Sequence, residues 1–524
     1  MQSPFKNILY TNTAPSDSQC QTIRDFLVAP REEIAALTDE IVTTQALLDA
    51  LTQRRAAVEE FVSAHLALVS PIRRLPADVM QEIFAACLPS DRNSVIDEQD
   101  APLLLCHTCR SWRILALSTP RLWASLHIVL PLEDDLPSMN EAVNGWVSRS
   151  GILPLSISIA APGYGSSSYH PSTLFHTLMA LSPRWRHISF NLPFYDSFGP
   201  LASISPADVP VLQTLVLKGF NWASSTFYSG TPSIHLGFIG TASLRSVSIP
   251  AGAPDSTLTP FRWEHLRRLC FQPSNASVSA DKALTILHKC PLLEMLSLHL
   301  TGRDSPPAPA TLCHMEYLRD LHVFEGVAQT SNIFQHIVAP NLAHLEYSGR
   351  GPDLPFTAML PSSRSLEGLS LTARVQTNSL LHTLALIPNL RRLLIQLEPV
   401  GEFDSLFISL LNRPIPEAGG ILCPNLECIH LNLFHVMSDQ ALLDFIRTRA
   451  DSSLGTAPRL SRVRVVFQRE QEIDIIPPLQ RFIDEGLEVS LQYRKPQRVR
   501  RPYSPSDALE RHDQDWFLSP DFWS

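Results

Sequence analysis

The chain has 524 residues, of which 44% are hydrophobic and only 18% are charged, which excludes a mainly disordered, charge-swollen chain. Its 42 lysines and arginines against 51 aspartates and glutamates give a net charge of −9, which argues against a protein built mainly to coat nucleic acid. Proline is frequent, with 43 residues, and glycine is scarce, with 20, a balance that indicates many short elements ending in rigid corners.

The chain begins with a polar lead-in that is followed by a long helix. Residues 1–29 show little periodicity, and we expect them to be loosely ordered. Apolar residues then recur at spacings of three and four over residues 30–70, which predicts one long amphipathic helix. They are Ile34, Leu37, Ile41, Leu48, Leu51, Val58 and Val62. Because Thr44, Arg55 and His65 interrupt this seam, two interpretations stay open: a coiled coil that forms a homo-oligomer, or a helix that packs on its own chain or stays solvated.

Residues 71–123 are predicted to form a small helical block. The first helix lies within residues 75–88, which carry a broad apolar stripe. Residues 89–100 form a polar loop, and its last residue, Asp100, is a plausible N-cap for a second helix at 101–116.

A segment of the form Leu-x-x-Leu-x-Leu recurs through residues 124–490. Its ten matches start at 212, 244, 266, 293, 318, 342, 366, 390, 426 and 460, and Trp185-x-x-Ile188-x-Phe190 fits the same series. Self-similarity at spacings of 22 to 36 residues indicates a solenoid, and three consecutive steps of 24 are hard to obtain by chance. Helices ahead of the strands are predicted at Ser172–Ala180, Asp281–Lys289, Asn378–Leu386 and Ser438–Thr448. The predicted fold class is therefore α+β in several parts: a long N-terminal amphipathic helix, a small all-α block, and an α/β leucine-rich-repeat solenoid with a parallel sheet.

No sequence motif points to catalysis, a cofactor or a metal. There is no Gly-rich phosphate loop with a lysine and no His-Glu-x-x-His, so we expect no enzyme activity and no cofactor. Cys106 and Cys109 form a single Cys-x-x-Cys, whereas a structural zinc site needs four ligands. Cys423 and Cys428 flank a predicted strand and are interpreted as small core residues. We see no secretory signal and no apolar run that could span a bilayer, and we expect an intracellular protein, cytoplasmic or nuclear, with reduced cysteines.

The C-terminal tail, residues 491–524, changes from basic to aromatic. The segment Arg494–Arg501 holds five positive charges in eight residues and is either a nuclear-import signal, a nucleic-acid patch or a solvated tail. We favour the solvated tail and do not expect nucleic acid as a main partner. The segment Asp515–Trp523 is aromatic and either caps the last repeat or serves as a docking peptide.

The block at 71–123 resembles an F-box. The resemblance rests on a Leu-Pro pair, a later Cys-Arg-x-Trp-Arg and a closing Leu-Trp. The matching residues are Leu75-Pro76, Ile83-Phe84, Leu88, Leu103-Leu104-Leu105, Cys109-Arg110, Trp112-Arg113 and Leu122-Trp123. Over residues 3–470 the chain is similar to the fungal family of F-box proteins, which share a Ser-Pro-Phe opening, a long amphipathic helix, the F-box and leucine-rich repeats; the opening here is Ser3–Phe5.

Members of this family are adaptors of a ubiquitin ligase of the SCF type, which consists of Skp1, a cullin and an F-box protein. The resemblance implies that the F-box docks a Skp1-like subunit and that the repeats bind a target protein. The residues expected to bind Skp1 are Leu75, Pro76, Val79, Ile83, Phe84, Leu88, Leu104, Leu105, Trp112 and Trp123. The alternative is a protein-interaction scaffold outside the ligase that uses the same repeat surface.

The sequence alone does not decide which of these ten residues bind Skp1. A block this small cannot bury all of its large apolar side chains, and leftover apolar area marks a partner site. The alternative is that they close the block's own core, which we favour for Cys109 and Trp112. Two departures from the family stand out: loop 89–100 is long, and the repeats lack the usual Asn or Cys three residues after the last leucine, so we expect an irregular array. The latter positions include Phe220, Gly252, Ser274 and Thr301.

Overall fold

The computed structural model describes the chain from residue 3 to residue 493 with internal gaps. The described ranges are 3–129, 136–160, 172–191, 201–218, 236–251, 260–272, 278–300, 312–326, 332–351, 354–397, 407–412, 421–433, 437–450 and 460–493. The chain divides into two compact units, one up to residue 83 and one from residue 84 onward. The boundary falls inside the predicted block 71–123. Positions 220, 252, 274 and 301, on which we based the irregular array, lie outside the described residues, as do the tail segments at 494–501 and 515–523.

The first unit is helical. It contains α1 (Asp17–Phe26), α2 (Val28–Leu68), a 3₁₀ turn (Pro71–Arg74) and most of α3 (Ala77–Ala86), which crosses the boundary between the units. The long helix was predicted at 30–70 and is confirmed as α2. Helix α1 lies within the lead-in that was expected to be loosely ordered. It begins with a capping box, in which Ser16 and Gln19 satisfy each other's backbone N–H groups, a local signal that apolar periodicity does not detect.

The second predicted helix of the block, at 101–116, is wrong as one element. The structure has two helices here, α4 (Leu103–Thr108) and α5 (Arg110–Leu117), separated by Cys109 in an extended conformation with φ −161° and ψ 168°. The Sγ of Cys109 accepts a hydrogen bond from the N–H of Trp112 at 3.4 Å and caps α5, so Cys109 is exposed rather than in the core. Asp100 caps neither helix; its carboxylate pairs with Arg92 at 3.1 Å.

The second unit is built on one parallel sheet of fourteen strands in chain order. The strands are β1 (Ser125–Val129), β2 (Leu155–Ala160), β3 (Trp185–Asn191), β4 (Thr214–Lys218), β5 (Ser246–Pro250), β6 (Arg268–Gln272), β7 (Met295–Leu300), β9 (Asp320–Glu325), β11 (His344–Gly349), β12 (Gly368–Ala373), β13 (Arg392–Leu397), β14 (Cys428–Leu433), β15 (Arg462–Phe467) and β16 (Glu488–Gln492). Two short strands, β8 (Cys313–His314) and β10 (Ile337–Val338), form a separate parallel pair. This topology confirms the predicted α/β leucine-rich-repeat solenoid with a parallel sheet.

Helices and turns connect successive strands. The described helices are α6 (Leu136–Arg149), α7 (Ser172–Ala180), α8 (Ala280–Leu287), α9 (Thr377–Ala385), α10 (Phe407–Leu410), α11 (Asp439–Ala450) and α12 (Ile476–Asp484). The four helices predicted ahead of strands correspond to α7, α8, α9 and α11 within a few residues. All ten Leu-x-x-Leu-x-Leu segments end in strands. Strand β1 ends the variant Trp123-x-x-Leu126-x-Ile128, whereas the corresponding segments of β2 and β16 begin with Pro154 and Gly486.

Leucines from neighbouring strands form the core of the sheet. In the ladder that runs through β7, β9, β11, β12 and β13, the paired residues are Leu296, Leu321, Leu345, Leu369 and Leu393, and each is 0% exposed. Burial of each such side chain is worth about 1.5–3 kcal/mol. Cys423 is also buried, as predicted, but Cys428 is only half-buried at the start of β14, so the core assignment of Cys428 is wrong.

Loop 89–100 pairs with the first edge of the sheet. Val95 forms a parallel bridge with His127 in β1, and the Oδ1 of Asn93 accepts a hydrogen bond from the hydroxyl of Ser156 in β2 at 2.7 Å. An exposed edge strand offers unpaired backbone groups to other chains, and a covering loop prevents this. The extra length of the loop therefore has a structural use within the second unit.

Candidate protein-interaction surfaces

Helix α3 carries an exposed apolar stripe. Val79 and Ile83 lie one turn apart, Leu75 lies just before the helix, and the three residues are 41%, 37% and 38% exposed, respectively. The adjoining Pro76 is exposed as well. On the same helix Met80 and Phe84 are buried. Residues four apart share one side of a helix, so α3 has an apolar side that is covered and another that is open to a partner. We call Leu75, Val79 and Ile83 the α3 stripe.

The predicted docking residues of the second unit differ in exposure. Leu104 is 49% exposed, Leu88 and Trp112 are half-buried, and Phe84, Leu105 and Trp123 are buried. The rings of Phe84 and Trp112 lie 5.0 Å apart, so the half-buried Trp112 has an aromatic contact within the second unit.

Trp123 is held inside the second unit by three contacts. Its Nε1 donates a hydrogen bond to the carbonyl of Ala116 at 2.9 Å, and its ring packs edge-on against Trp146 with 4.8 Å between the centroids. The guanidinium of Arg149 lies 4.7 Å from the same ring. A tryptophan that is 1% exposed and satisfied in this way stabilises the block and does not present a surface to a partner.

The sheet has a second face, formed by the strand residues that alternate with the core leucines. Its middle column crosses all fourteen strands in register. The column consists of His127, Ser158, Ser189, Val216, Ser248, Cys270, Ser297, His322, Glu346, Ser370, Leu394, His430, Arg464 and Ser490. Small side chains, mainly serines, dominate in the first strands, and imidazole, carboxylate and guanidinium groups in the later ones. The pattern of leucines did not predict which of these positions would be polar.

Burial along the middle column changes with position. The side chains from His127 to Cys270 are half-buried, those from Ser297 to His430 are buried, and Ser490 at the end is exposed. Ser370 and Leu394 are each only 1% exposed. The periodicity of two in the sequence predicts which face a residue occupies, but it does not predict that the column from Ser297 to His430 is as buried as the core.

Histidine–carboxylate pairs connect neighbouring repeats on this face. The Nδ1 of His322 lies 2.7 Å from Glu346 Oε2, and both side chains are less than 10% exposed. In the adjoining column the Nδ1 of His344 lies 2.7 Å from Asp320 Oδ1. These two hydrogen bonds join β9 to β11 across the second face.

Two other histidines of the second face are uncharged at neutral pH. Burial and the nearby Arg464 lower the pKa of His430 to about 3, and burial lowers the pKa of His299 to about 4. His299 stacks on Phe324 of β9 with 4.5 Å between the ring centroids. The later part of the face thus combines neutral imidazoles with the guanidinium of Arg464.

Two oxygens on the second face, Ser370 Oγ and Asn432 Oδ1, are buried without a hydrogen-bond partner in the part of the chain that the structure describes. A buried polar atom without a partner costs about 1–3 kcal/mol.

A groove of about 710 Å³ lies at the edge where the strands begin. It is lined by Glu294, Glu316, Tyr317, Arg319, Asn341, Ala343, Ser365 and Glu367. Three carboxylates against one guanidinium make the lining acidic, and Tyr317 is 53% exposed. We call this the strand-start groove. It was not predicted, because its residues come from four repeats and meet only when the repeats stack.

Comparisons with known proteins yielded structural neighbours only. No protein-family model matches the chain, and no curated protein matches it. Among solved structures, the leucine-rich-repeat domain of APL1B is similar over 65% of this chain and 96% of that chain, at 12% identity and a TM-score of 0.23. The structure of the Toll–Spatzle complex from Drosophila is similar over 73% and 67%, at 10% identity and a TM-score of 0.23.

The chain folds as a leucine-rich-repeat solenoid. This conclusion rests on the strand order and register of the sheet, since likenesses with TM-scores this low carry no argument. A solenoid exposes long surfaces suited to protein–protein interaction. Within the described ranges, no group of three His, Cys, Asp or Glu side chains is arranged to hold a metal ion. None of the described helices combines the length and apolar content needed to cross a membrane.

Proposed function

We propose that the chain is a substrate-recognition adaptor of an SCF-type ubiquitin ligase. In this proposal the block at 71–123 is an F-box that docks a Skp1-like subunit, and the solenoid binds the protein to be ubiquitinated. The observation that carries the proposal is the α3 stripe, an exposed set of aliphatic side chains on a short helix at the position where the sequence resembles an F-box. We also propose that the chain acts by binding rather than by catalysis, in the cytoplasm or the nucleus.

The energetics of the α3 stripe favour a docking role. Full burial of a large aliphatic side chain is worth about 1.5–3 kcal/mol, and the stripe offers three such side chains that are each more than a third exposed. A few central apolar residues provide most of the free energy in a typical interface. Leu104, 49% exposed on α4 of the second unit, is a further aliphatic contact, whereas the buried Phe84, Leu105 and Trp123 support the fold.

The target protein is proposed to bind the solenoid through the second face and the strand-start groove. The groove supplies carboxylates and an exposed tyrosine, which suits a target segment that carries lysine or arginine. The second face supplies accessible charged residues at the strand starts, including the exposed Arg462 and the half-buried Asp320.

Co-expression with Skp1 tests the ligase assignment. We expect the unchanged chain to copurify with Skp1, and Val79→Asp/Ile83→Asp to lose the complex because two carboxylates would be buried in an apolar interface. The milder Leu75→Ala/Pro76→Ala should weaken it. A matched control is Ile152→Asp, since Ile152 is an aliphatic residue of the second unit that is 93% exposed. A complex unaffected by the double aspartate change, or absent for the unchanged chain, would reject the proposal.

The second candidate is an interaction scaffold that acts outside a ligase. It is favoured by the burial of Phe84, Leu105 and Trp123, which removes three of the ten residues expected to bind Skp1. Crosslinking mass spectrometry on the chain captured from its native extract separates the ligase adaptor from the scaffold. Solenoid partners that persist in the Val79→Asp/Ile83→Asp variant while Skp1 is absent from both samples would favour the scaffold.

A further inference from the structure

Helix α2 has no buried side chain. Every residue from 31 to 69 is exposed. Large aliphatic side chains are among them: Ile34, Leu37, Ile41, Leu48, Leu51 and Val58 are 63%, 52%, 68%, 56%, 54% and 55% exposed. At 1.5 Å per residue the 41 residues of α2 extend over about 62 Å. Helices in water gain most of their stability from packing an apolar face, so a helix of this length with an open apolar face indicates a missing partner.

Seven large aliphatic residues of α2 follow a heptad repeat, whereas Val42, Leu47, Phe61, Leu66 and Leu68 lie outside it. Positions 34–68 span five heptads, and the two core positions of each heptad define what we call the α2 seam. The seam consists of Ile34, Leu37, Ile41, Thr44, Leu48, Leu51, Arg55, Val58, Val62 and His65. A repeat sustained over three to four heptads or more is typical of a coiled coil, which leaves the identity and direction of the second helix to be determined.

We propose that the second helix is α2 of another copy of this chain and that the two helices run antiparallel. In the register that places Leu48 opposite the partner's Leu51, Ile41 faces the partner's Val58 and Leu37 faces the partner's Val62. Each of these three pairings occurs twice in the symmetric dimer, so apolar residues face apolar residues in six of the ten layers of the seam. The remaining layers pair Thr44 with Arg55 and Ile34 with His65.

The polar residues of the seam determine the direction. In a parallel dimer in register, Arg55 would face the partner's Arg55, and His65 the partner's His65, so two guanidinium groups would be buried against each other. In the antiparallel register Arg55 faces Thr44, whose hydroxyl can accept a hydrogen bond from it. The contact between like charges disfavours the parallel dimer, and the hydrogen-bond donor opposite an acceptor favours the antiparallel dimer.

The residues that flank the seam agree with this register. Glu40 would lie beside the partner's Phe61 and Leu47 beside the partner's Arg54, so no like charges meet. The parallel arrangement would bring Arg54 near the partner's Glu59, which is its one favourable charge pair. Glu59, however, already pairs with Arg55 of the same helix, at 3.5 Å, and exposed ion pairs contribute little.

The dimer would hold two solenoids in one particle. Two target-binding surfaces on one particle raise the effective concentration for a target that carries two binding segments, or for two targets that associate. The proposal does not depend on the ligase assignment, because α2 lies outside the block at 71–123. Loss of Skp1 binding would leave it intact.

Sedimentation equilibrium of the full chain tests dimer formation. We expect a species with twice the mass of the 58.4 kDa chain at micromolar concentration. Leu48→Asp should raise the dissociation constant about 100-fold or more, because two buried leucines per dimer become carboxylates. Ala46→Asp is the matched control: it adds the same charge on the outward side of α2 and should change the constant less than about threefold. Circular dichroism of Ala46→Asp should match that of the unchanged chain, whereas Leu48→Asp should lose part of the helix signal because α2 loses the partner that stabilises it.

A second variant tests the direction. Thr44→Glu places a carboxylate opposite the partner's Arg55 in the antiparallel dimer and should lower the dissociation constant about 3–10-fold, since two ion pairs form. In a parallel dimer the same change would place glutamate against glutamate and weaken association. Thr43→Glu, on the outward side, is the control and should have no effect. A monomeric wild-type chain, equal effects of Leu48→Asp and Ala46→Asp, or a weaker Thr44→Glu dimer would overturn the proposal.

Discussion

Helix α2 and the sheet of the second unit both carry regular apolar repeats, but they use them in opposite ways. The repeat of the sheet is closed within the chain, and leucines such as Leu345 and Leu369 are 0% exposed. The repeat of α2 is open over its whole length, and Ile41 is 68% exposed. Stacking of successive repeats provides each strand with a neighbour, whereas a single helix has none. An apolar pattern therefore identifies the side chains that must be buried, and the topology decides whether they can be buried within the same chain.

The largest expected effect comes from comparing a leucine-to-alanine substitution in the sheet with one in α2. Leu369→Ala should lower the free energy of unfolding of the second unit by about 3–5 kcal/mol, because it leaves a cavity between two fully packed strands. Leu37→Ala should leave unfolding of the second unit unchanged and weaken only self-association. Urea unfolding, followed by circular dichroism at submicromolar concentration, measures the change in the free energy of unfolding for each of the two variants.

The control for Leu369→Ala is Leu292→Ala, since Leu292 is 39% exposed in the same unit and should cost less than about 1 kcal/mol. Equal losses from Leu369→Ala and Leu37→Ala would contradict the contrast between a closed and an open repeat.

A buried carboxylate near the end of the solenoid gives the next largest effect. Asp439 is 0% exposed, and it accepts hydrogen bonds from Arg469 at 2.7 Å, from the backbone N–H of Glu472 at 2.8 Å and from Tyr493 Oη at 3.1 Å. Asp439→Asn should cost about 2–3 kcal/mol, because the charge that these donors bind is lost. Amide hydrogen exchange of β15 and β16 should report it, with exposed Asp474→Asn as the control.

The same carboxylate predicts a sensitivity to acid. Burial acts to raise the pKa of Asp439, but the hydrogen bonds from Arg469 and from the backbone of Ile473 and Glu472 outweigh it, so the pKa is lowered from 3.8. A lowered pKa means that the contribution is present above pH 3.8 and is lost as the pH falls below it. In Asp439→Asn this part of the acid sensitivity should be absent.

The sequence could predict those parts of the molecule that depend on local pattern. The ten repeat segments end in strands, and α7 was predicted at its observed bounds, because periodicity and capping residues are local signals. Strands β1, β2 and β16 were not among the ten repeat segments, because the first position of the segment holds Trp123, Pro154 or Gly486 instead of leucine. The break at Cys109 depends on one Sγ···H–N contact, and the strand-start groove on residues from four repeats. Periodicity contains neither kind of information.

Intermediate effects are expected from the neutral histidines of the second face. The pKa of His430 is about 3 in the folded chain, because of burial and Arg464, whereas an unfolded histidine has an ordinary pKa of 6.5. Since the unfolded chain binds the proton more readily, stability is full above pH 6.5 and falls as the pH decreases toward 3. The loss at pH 5 should be about 2 kcal/mol.

His430→Gln should flatten the dependence of stability on pH between 7 and 5, measured as the urea midpoint at each pH. His314→Gln is the control, because His314 is exposed. An unchanged slope in His430→Gln would show that this side chain is not buried in its neutral form.

The smallest expected effect is also the most informative for the first unit. Val79→Asp should change the free energy of unfolding by less than about 0.5 kcal/mol, because Val79 is 41% exposed and its replacement keeps the carboxylate in water. Phe84→Ala, on the buried side of the same helix, should cost about 3–5 kcal/mol. If both substitutions cost several kcal/mol, the α3 stripe belongs to the core, and the docking role proposed for it fails. If Val79→Asp is silent in the isolated chain but abolishes the Skp1 complex, the side chain acts only when a partner covers it, as α2 does in the proposed dimer.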